Sequence, residues 1–270
     1  MYFTLFKITS FDNKVYKHIK KLETSKYRSD IKQFCIEGLK IVNEAIDYKQ
    51  DIVHIVMDEN YYNKIPESFL CKIEKRFWDK SVVFDNKLFK KIAKTDTPQG
   101  IMAVLNEKQH DSITFSSEKK FFLVLDGIQD PGNMGTIIRT AHGAGVDFVI
   151  ASKGCVDIYN PKVIRSTMGS IFHVPVIKNF DIIDLVKELK NDGVKIFSAS
   201  LDTNNNFFDY SFKEGVAIVI GNEANGVSKE VQDVSDHLIK IPMAKKLESL
   251  NASVAAGIVM YEIMKQRMIM

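Results

Sequence analysis

Three short stretches of the chain carry residue types that chemistry uses, and each sits behind an apolar run. The first is Asp126-Gly127-Ile128-Gln129-Asp130-Pro131-Gly132-Asn133-Met134-Gly135, with Arg139 six residues beyond Asn133. Asn133 suits an N-cap, and a helix start with free backbone N–H groups binds anions. The second is Gly221-Asn222-Glu223-Ala224-Asn225-Gly226, behind Ile218-Val219-Ile220. Two glycines around a carboxylate suggest close approach of backbone to a ligand. The third runs from Ile241-Pro242-Met243 through Glu248-Ser249-Leu250-Asn251-Ala252-Ser253 into a small-residue stretch. Ser249, Asn251 and Ser253 offer hydroxyl and amide groups at a helix entrance, where a plain N-cap needs only one of them. Taken singly, each stretch also reads as an ordinary capped helix or tight turn.

Better-known nucleotide motifs fail on these residues. Gly127 and Gly132 have P-loop spacing, but Asn133-Met134 stands where Lys-Ser/Thr belongs. Gly143-x-Gly145 has Phe148 in place of the third glycine of a dinucleotide fingerprint, and it ends a helix instead of opening one. The three cysteines, Cys35, Cys71 and Cys155, are odd in number and far apart, and the six histidines are scattered. Neither a disulfide framework nor a metal site is expected. No stretch nears ~18 uninterrupted apolar residues, and the apolar N-terminal block has no basic residues ahead of it. A reduced, soluble, cytoplasmic protein without metal is the expectation.

The elements that must position these loops follow from periodicity. In the second half, Phe121–Leu125, Val146–Ile150, Val194–Ala199, Val216–Ile220 and Leu238–Ile241 are apolar runs of the buried, parallel-strand type. Helical patterns at Met134–Ala144, Ile182–Lys190 and Ala252–Gln266 separate them. In such sheets ligands bind beyond the carboxyl ends of the strands, which is where the three stretches lie. In the first half, strands at Gln33–Glu37, Ile52–Met57, Ser81–Phe84 and Ile101–Leu105 alternate with helical patterns, arguing a smaller α/β domain. The expected division is residues 1–107, a polar linker at 108–120, and residues 121–270.

Charge is uneven across that division. Residues 1–107 hold 19 Lys and Arg against 15 Asp and Glu, and residues 108–270 hold 18 against 19. The excess concentrates in Lys14, Lys17, Lys20, Lys21, Lys26, Arg28 and Lys32, opposed only by Glu23 and Asp30. Such a stretch is either an electrostatic footprint for nucleic acid or a solvated helix face. Tyr16 and Tyr27 lie among the lysines and could stack on bases or pack inward.

The order Asn133-x-Gly135-x3-Arg139, Gly221-Asn222-Glu223-x2-Gly226 and Ile241-Pro242-Met243…Ser249-Leu250-Asn251-x-Ser253-x-Ala255 resembles the three motifs of the SpoU/TrmH-type RNA ribose 2′-O-methyltransferases of the SPOUT class. The likeness covers about residues 120–268. One departure is Ala224, where many relatives have glycine. Residues 14–105 resemble the ribosomal-protein-like substrate-binding domain of such enzymes, through Lys26-Tyr27-Arg28, Phe34-x-Ile36-Glu37-Gly38 and Thr97-Pro98-Gln99-Gly100.

The resemblance implies an α/β trefoil-knot domain behind a smaller α/β RNA-binding domain. It implies S-adenosylmethionine as methyl donor, without metal. Gly221, Ile241 and Leu250 would give it backbone contacts, Asn222, Glu223, Gly226, Pro242 and Met243 would shape its wall, and Ser253 would complete the cofactor-binding set. Arg139 would place the ribose–phosphate, with Asn133, Glu223, Ser249 and Asn251 orienting it. The implied substrate is structured RNA, ribosomal 23S in preference to transfer RNA, docked on the basic segment of the first domain. A homodimer through the C-terminal helix is implied as well. A non-catalytic RNA-binding or ribosome-assembly factor on the same fold is the alternative of a different class.

Overall fold

The computed structural model describes residues 5–108, 119–245 and 248–268. The chain divides into two compact units, Met1–Gln109 with Tyr159–Arg165, and His110–Ile158 with Ser166–Met270. Most of the expected linker, residues 109–118, lies outside the described residues.

The first unit holds a five-stranded sheet of β1 (Lys7–Ile8), β2 (Gln33–Glu37), β3 (Ile52–Asp58), β4 (Ser81–Phe84) and β5 (Ile101–Asn106), in the order β1-β4-β3-β5-β2. β5 is antiparallel to both its neighbours, and the other pairs are parallel. Its helices are α1 (Lys14–Lys21), α2 (Ser25–Ile31), α3 (Leu39–Asp47), α4 (Glu59–Tyr62), α5 (Glu67–Arg76) and α6 (Asn86–Ile92). Asn13 caps α1 by accepting from Val15 N–H at 2.8 Å, and Asp85 caps α6 by accepting from Leu88 N–H at 2.8 Å. Tyr16 and Ile19 of α1 and Leu88, Phe89 and Ile92 of α6 pack on Val56, Phe84, Met102 and Val104 of one sheet face. The helical period then turns the lysines of both helices outward.

The second unit holds a six-stranded sheet of β6 (Phe121–Asp126), β7 (Phe148–Ser152), β8 (Val176–Phe180), β9 (Lys195–Ala199), β10 (Val216–Gly221) and β11 (His237–Ile239). The order is β11-β9-β10-β6-β7-β8, and every pair is parallel. Its helices are α7 (Pro131–Gly143), α9 (Ile182–Asn191), α10 (Lys229–Val234) and α11 (Ala252–Met268), while α8 (Pro161–Thr167) belongs through Arg165 to the first unit. β6 and β10 are buried almost end to end, which is why their sequences are unbroken apolar runs. On one face, Leu185, Val186 and Leu189 of α9 and Val231 of α10 cover Phe122, Val124, Ile196 and Val219. β8 escapes the sequence reading because Lys178 and Asn179 interrupt a short edge strand.

From β6 the chain winds outward to β7 and β8, then returns to build β9, β10 and β11 on the other side. The winding therefore reverses between β6 and β10, the place where doubly wound sheets bind ligands. Their register sets Gly221 level with Asp126, so the loops after both strands leave the sheet side by side.

Candidate active site

The first motif is positioned by a cap. Asp130, not Asn133, is the N-cap of α7: its carboxylate accepts from Asn133 N–H at 2.8 Å, and Pro131 takes the first helical position. The expected anion cradle is thereby closed. Pro131 has no N–H, that of Asn133 is taken, and the cap is itself negative. The correction frees the Asn133 side chain for another purpose.

That purpose is a link between all three motifs. Asn133 Nδ2 donates to Glu223 Oε1 at 2.5 Å, and Asn133 Oδ1 accepts from Asn251 Nδ2 at 3.0 Å. Asn251 in turn caps α11, its Oδ1 accepting from Ser253 N–H at 2.9 Å and Ser253 Oγ at 2.6 Å. A second tie joins the same loops, where Ser228 N–H donates to Asp126 Oδ2 at 2.8 Å. Asn222 Nδ2 donates to the Gly127 carbonyl at 2.8 Å. Arg139 lies further along α7, exposed and without a carboxylate partner among the described residues. Cys155 sits behind this loop with its thiol donating to the Leu125 carbonyl at 3.3 Å, and burial pushes its pKa up.

Gly221 is a glycine for a reason other than the expected one. A Cβ there would lie 2.0 Å from the Gly226 carbonyl carbon and 2.1 Å from Val227 N. The close approach is the loop's own return, in which Asn222 and Gly226 exchange backbone hydrogen bonds of 3.0 and 2.8 Å. Gly226 supplies the left-handed conformation, φ +68°, that the return requires. Ala224 has no such requirement, and its N–H donates to Asn222 Oδ1 at 2.8 Å.

Beside these loops lies a cavity of about 540 Å³, within the ~300–1,000 Å³ usual for small-molecule sites. Gly221, Asn222, Gly226, Ile241, Met243 and Leu250 of the expected cofactor set line it, as do Glu223 and Ser249. Pro242 and Ser253 do not line it, and neither do Asn133, Asn251 and Arg139. The sequence reading missed the loop after β9, whose Leu201 and Asp202 form part of the wall together with Gln232 and Glu248. The rule that ligands bind beyond strand ends would have found Asp202, since β9 was recognised. Among the described residues no three His, Cys, Asp or Glu side chains converge as a metal site.

Residues 120–261 match the SpoU rRNA methylase family. The chain is 33% identical over 256 residues to the Bacillus subtilis 23S rRNA (guanosine(2553)-2′-O)-methyltransferase RlmP, covering 95% of this chain and 98% of that protein. The chain belongs to the SpoU rRNA methylase family. The resemblance drawn from the three motifs is therefore borne out. Two crystal structures from Sinorhizobium meliloti share the fold: an rRNA methyltransferase with TM-score 0.85 and 28% identity, and its AdoMet-bound form with TM-score 0.82. The first covers 96% of this chain and is itself covered to 97%.

This SpoU chain also matches the MRM3-like substrate-binding domain, over residues 13–103. Within that unit the expected RNA-binding residues part ways. Lys14, Lys17, Lys20, Lys21, Lys26 and Lys32 are exposed. Arg28 is not: it is 3% exposed, and its guanidinium donates to the Leu22 and Glu23 carbonyls at 2.7 and 2.9 Å. It ties down the end of α1 and leaves the set of phosphate contacts. Tyr16 is core, edge-on to Phe11, and Tyr27 is half-buried with its hydroxyl 3.0 Å from His18 Nδ1. Neither ring is a free stacking platform.

Proposed function

We propose that the chain transfers a methyl group from S-adenosylmethionine to a ribose 2′-hydroxyl of large-subunit ribosomal RNA. The observation that carries this reading is the bonded line Glu223–Asn133–Asn251, which ties the three motifs together next to the cavity. The cavity suits the donor chemically. Ile220, Ile239, Ile241, Met243 and Leu250 offer apolar surface to an adenine, and Asp202, Glu223 and Glu248 offer carboxylates to a cationic ligand. When bound, S-adenosylmethionine supplies a methyl group on a sulfonium, a good leaving group.

What the chain must add is alignment and activation of a weak nucleophile. Oriented groups can contribute ~7–11 kcal/mol to such a step. Arg139 offers a planar, cationic fork suited to a phosphate, so it binds the neighbouring phosphate and lowers the hydroxyl's pKa by its field. Asn133 and Asn251 fix Glu223 at the cavity wall, and Ser249 presents a hydroxyl there. The working form is a cytoplasmic homodimer through the exposed side of α11, where Val254, Tyr261 and Met268 are 50%, 49% and 73% exposed. The small residues of α11 serve the chain's own packing, since Ala252 and Ala256 are buried and Gly257 faces Thr140 of α7. The deciding experiment incubates the protein with labelled S-adenosylmethionine and separate ribosomal and transfer RNA pools, then maps the label. Label on a 23S ribose is expected; label confined to transfer RNA or to a base overturns the reading.

A further inference from the structure

We propose that α1 and α6 of the first unit form one cationic ledge that grips the phosphodiester backbone of the RNA, with Lys87, Lys90, Lys91 and Lys94 supplying half of it. The inference rests on the RNA reading above and assigns the docking surface within it. The two helices lie side by side on one sheet face. Two contacts fix their direction. Lys87 Nζ stands 5.6 Å from the centre of the Phe11 ring, just ahead of α1. Lys20 Nζ donates to the Lys91 carbonyl at 3.3 Å, near both C-terminal ends. The helices therefore run parallel. At 100° per residue, Lys14, Lys17, Lys20 and Lys21 fill one outward arc of α1, and Lys87, Lys90 and Lys91 one outward arc of α6.

The whole charge excess of residues 1–107 lies here. Residues 11–24 and 85–94 hold eight lysines against three carboxylates, and the remainder of residues 1–107 holds eleven cations against twelve anions. The three carboxylates are already engaged. Asp12 pairs with Lys17 at 2.7 Å, Glu23 sits between Lys20 and Lys94 at 2.7 Å from each, and Asp85 caps α6. Lys14, Lys90 and Lys91 have no carboxylate partner among the described residues.

Helix stability does not account for the pattern. Lysines in a last turn favour the helix dipole, which covers Lys20, Lys21, Lys90 and Lys91. Lys14, Lys17 and Lys87 stand in first turns, where the dipole opposes a cation. Their use lies outside the fold. A protein partner is disfavoured, because interfaces are poor in lysine and rich in aromatic anchors, and a membrane surface needs more apolar wedge than Phe11 alone. Rows of flexible ammonium groups suit a polyphosphate.

The test compares two variants of the full chain by filter binding to a 23S transcript across salt. One is Lys87→Gln/Lys90→Gln/Lys91→Gln, and the other is Lys26→Gln/Lys32→Gln, outside the ledge. Glutamine keeps helix propensity, and circular dichroism with S-adenosylmethionine titration confirms that each variant is folded. Each lost phosphate contact lowers the salt slope by roughly 0.7–0.9. A fall of about two units in the triple variant and of less than one in the double variant is expected. Wild-type methyl transfer is measured on the same preparation. An active wild type with an unchanged slope in the triple variant, or with equal losses in both variants, overturns the ledge alone. A wild type inactive on every RNA overturns the RNA reading beneath it. Tighter binding of the wild type to phosphatidylglycerol vesicles than to RNA would assign the ledge to a membrane instead.

Discussion

In the second unit, polar side chains from three distant segments turn toward one another, and Asn133, Glu223 and Asn251 bond in a line. In the first unit the singled-out lysines face outward, while Arg28, Tyr16 and Glu37 serve the fold. Arg28 holds carbonyls, Tyr16 fills the core, and Glu37 accepts from Lys94 N–H at 2.7 Å and from Thr95 Oγ1 to shape a loop. The difference comes from topology. All strands of the second sheet are parallel, so every loop at a carboxyl end leaves by the same edge. A polar residue just after β6, β9 or β10, the strands that flank the reversal of winding, then stands near the site. The first sheet is mixed, with β5 antiparallel to its neighbours, and has no such edge. There a charged residue means what its helix phase makes it mean.

The sharpest way to break this contrast is Arg139→Ala. Arg139 is exposed and has no carboxylate partner among the described residues, so its loss should leave fold and S-adenosylmethionine affinity intact. Methyl transfer should fall about 10²–10³-fold, the usual effect of removing one preorganised donor. Arg139→Lys should also be poor, because the planar fork is lost. A fully active lysine variant in a single-turnover assay would mean that a point charge suffices.

Gly221→Ala tests the loop itself. Its Cβ meets the Gly226–Val227 peptide group, and backbone cannot swing away as a side chain can. The cost should reach or exceed the ~1–3 kcal/mol of ordinary overpacking. That corresponds to a melting temperature lower by about 5 °C or more. Calorimetry should show weakened S-adenosylmethionine binding as well, since the displaced loop lines the cavity. An unshifted melting curve would show that the Gly221–Gly226 return is looser than the distances imply.

Asn133→Asp probes the line between motifs. It keeps the acceptor for Asn251 but replaces the donor to Glu223 with a second carboxylate. Adjacent carboxylates repel each other in place of bonding, and a proton shared between them would relieve that repulsion at low pH. Transfer should drop roughly 10–100-fold at neutral pH, the order of loss when a supporting hydrogen-bond partner is removed. It should recover in part as pH falls, whereas Asn133→Ala should show no such recovery. A flat pH profile for the aspartate variant would remove Glu223 from the line.

The three site loops were legible because residue type and place along a strand coincide there. Their exact joints were not. Pro131 carried the information that Asp130 is the cap, since proline favours the first helical position, but Asn133 drew the assignment. Gly221 was legible as a close approach and not as an approach of the chain to itself, because the partner atoms lie five and six residues on. The knot that the family resemblance implies is a matter of threading, and no periodicity encodes threading. In the first unit the strands were legible, while the roles of Arg28 and Tyr16 depended on which side of a short helix faced the sheet.

Arg28→Met gives the smallest expected effect and tests that last point directly. Methionine keeps a flexible apolar stem of similar reach but no donor. The Leu22 and Glu23 carbonyls at the end of α1 then lose bonds of 2.7 and 2.9 Å from a charged group. Leaving buried acceptors unpaired costs ~1–3 kcal/mol, so the melting temperature should fall by a few degrees. The RNA salt slope should not move, because a guanidinium 3% exposed reaches no phosphate. Lys21→Gln, at the exposed end of α1, should do the reverse and lower the slope by about 0.7–0.9 with an unchanged melting curve. If Arg28→Met instead lowered the slope by that amount and left stability alone, the guanidinium would have to swing out to the RNA. The contrast between a first unit whose charged residues are sorted by helix phase and a convergent second one would then fail at its clearest residue.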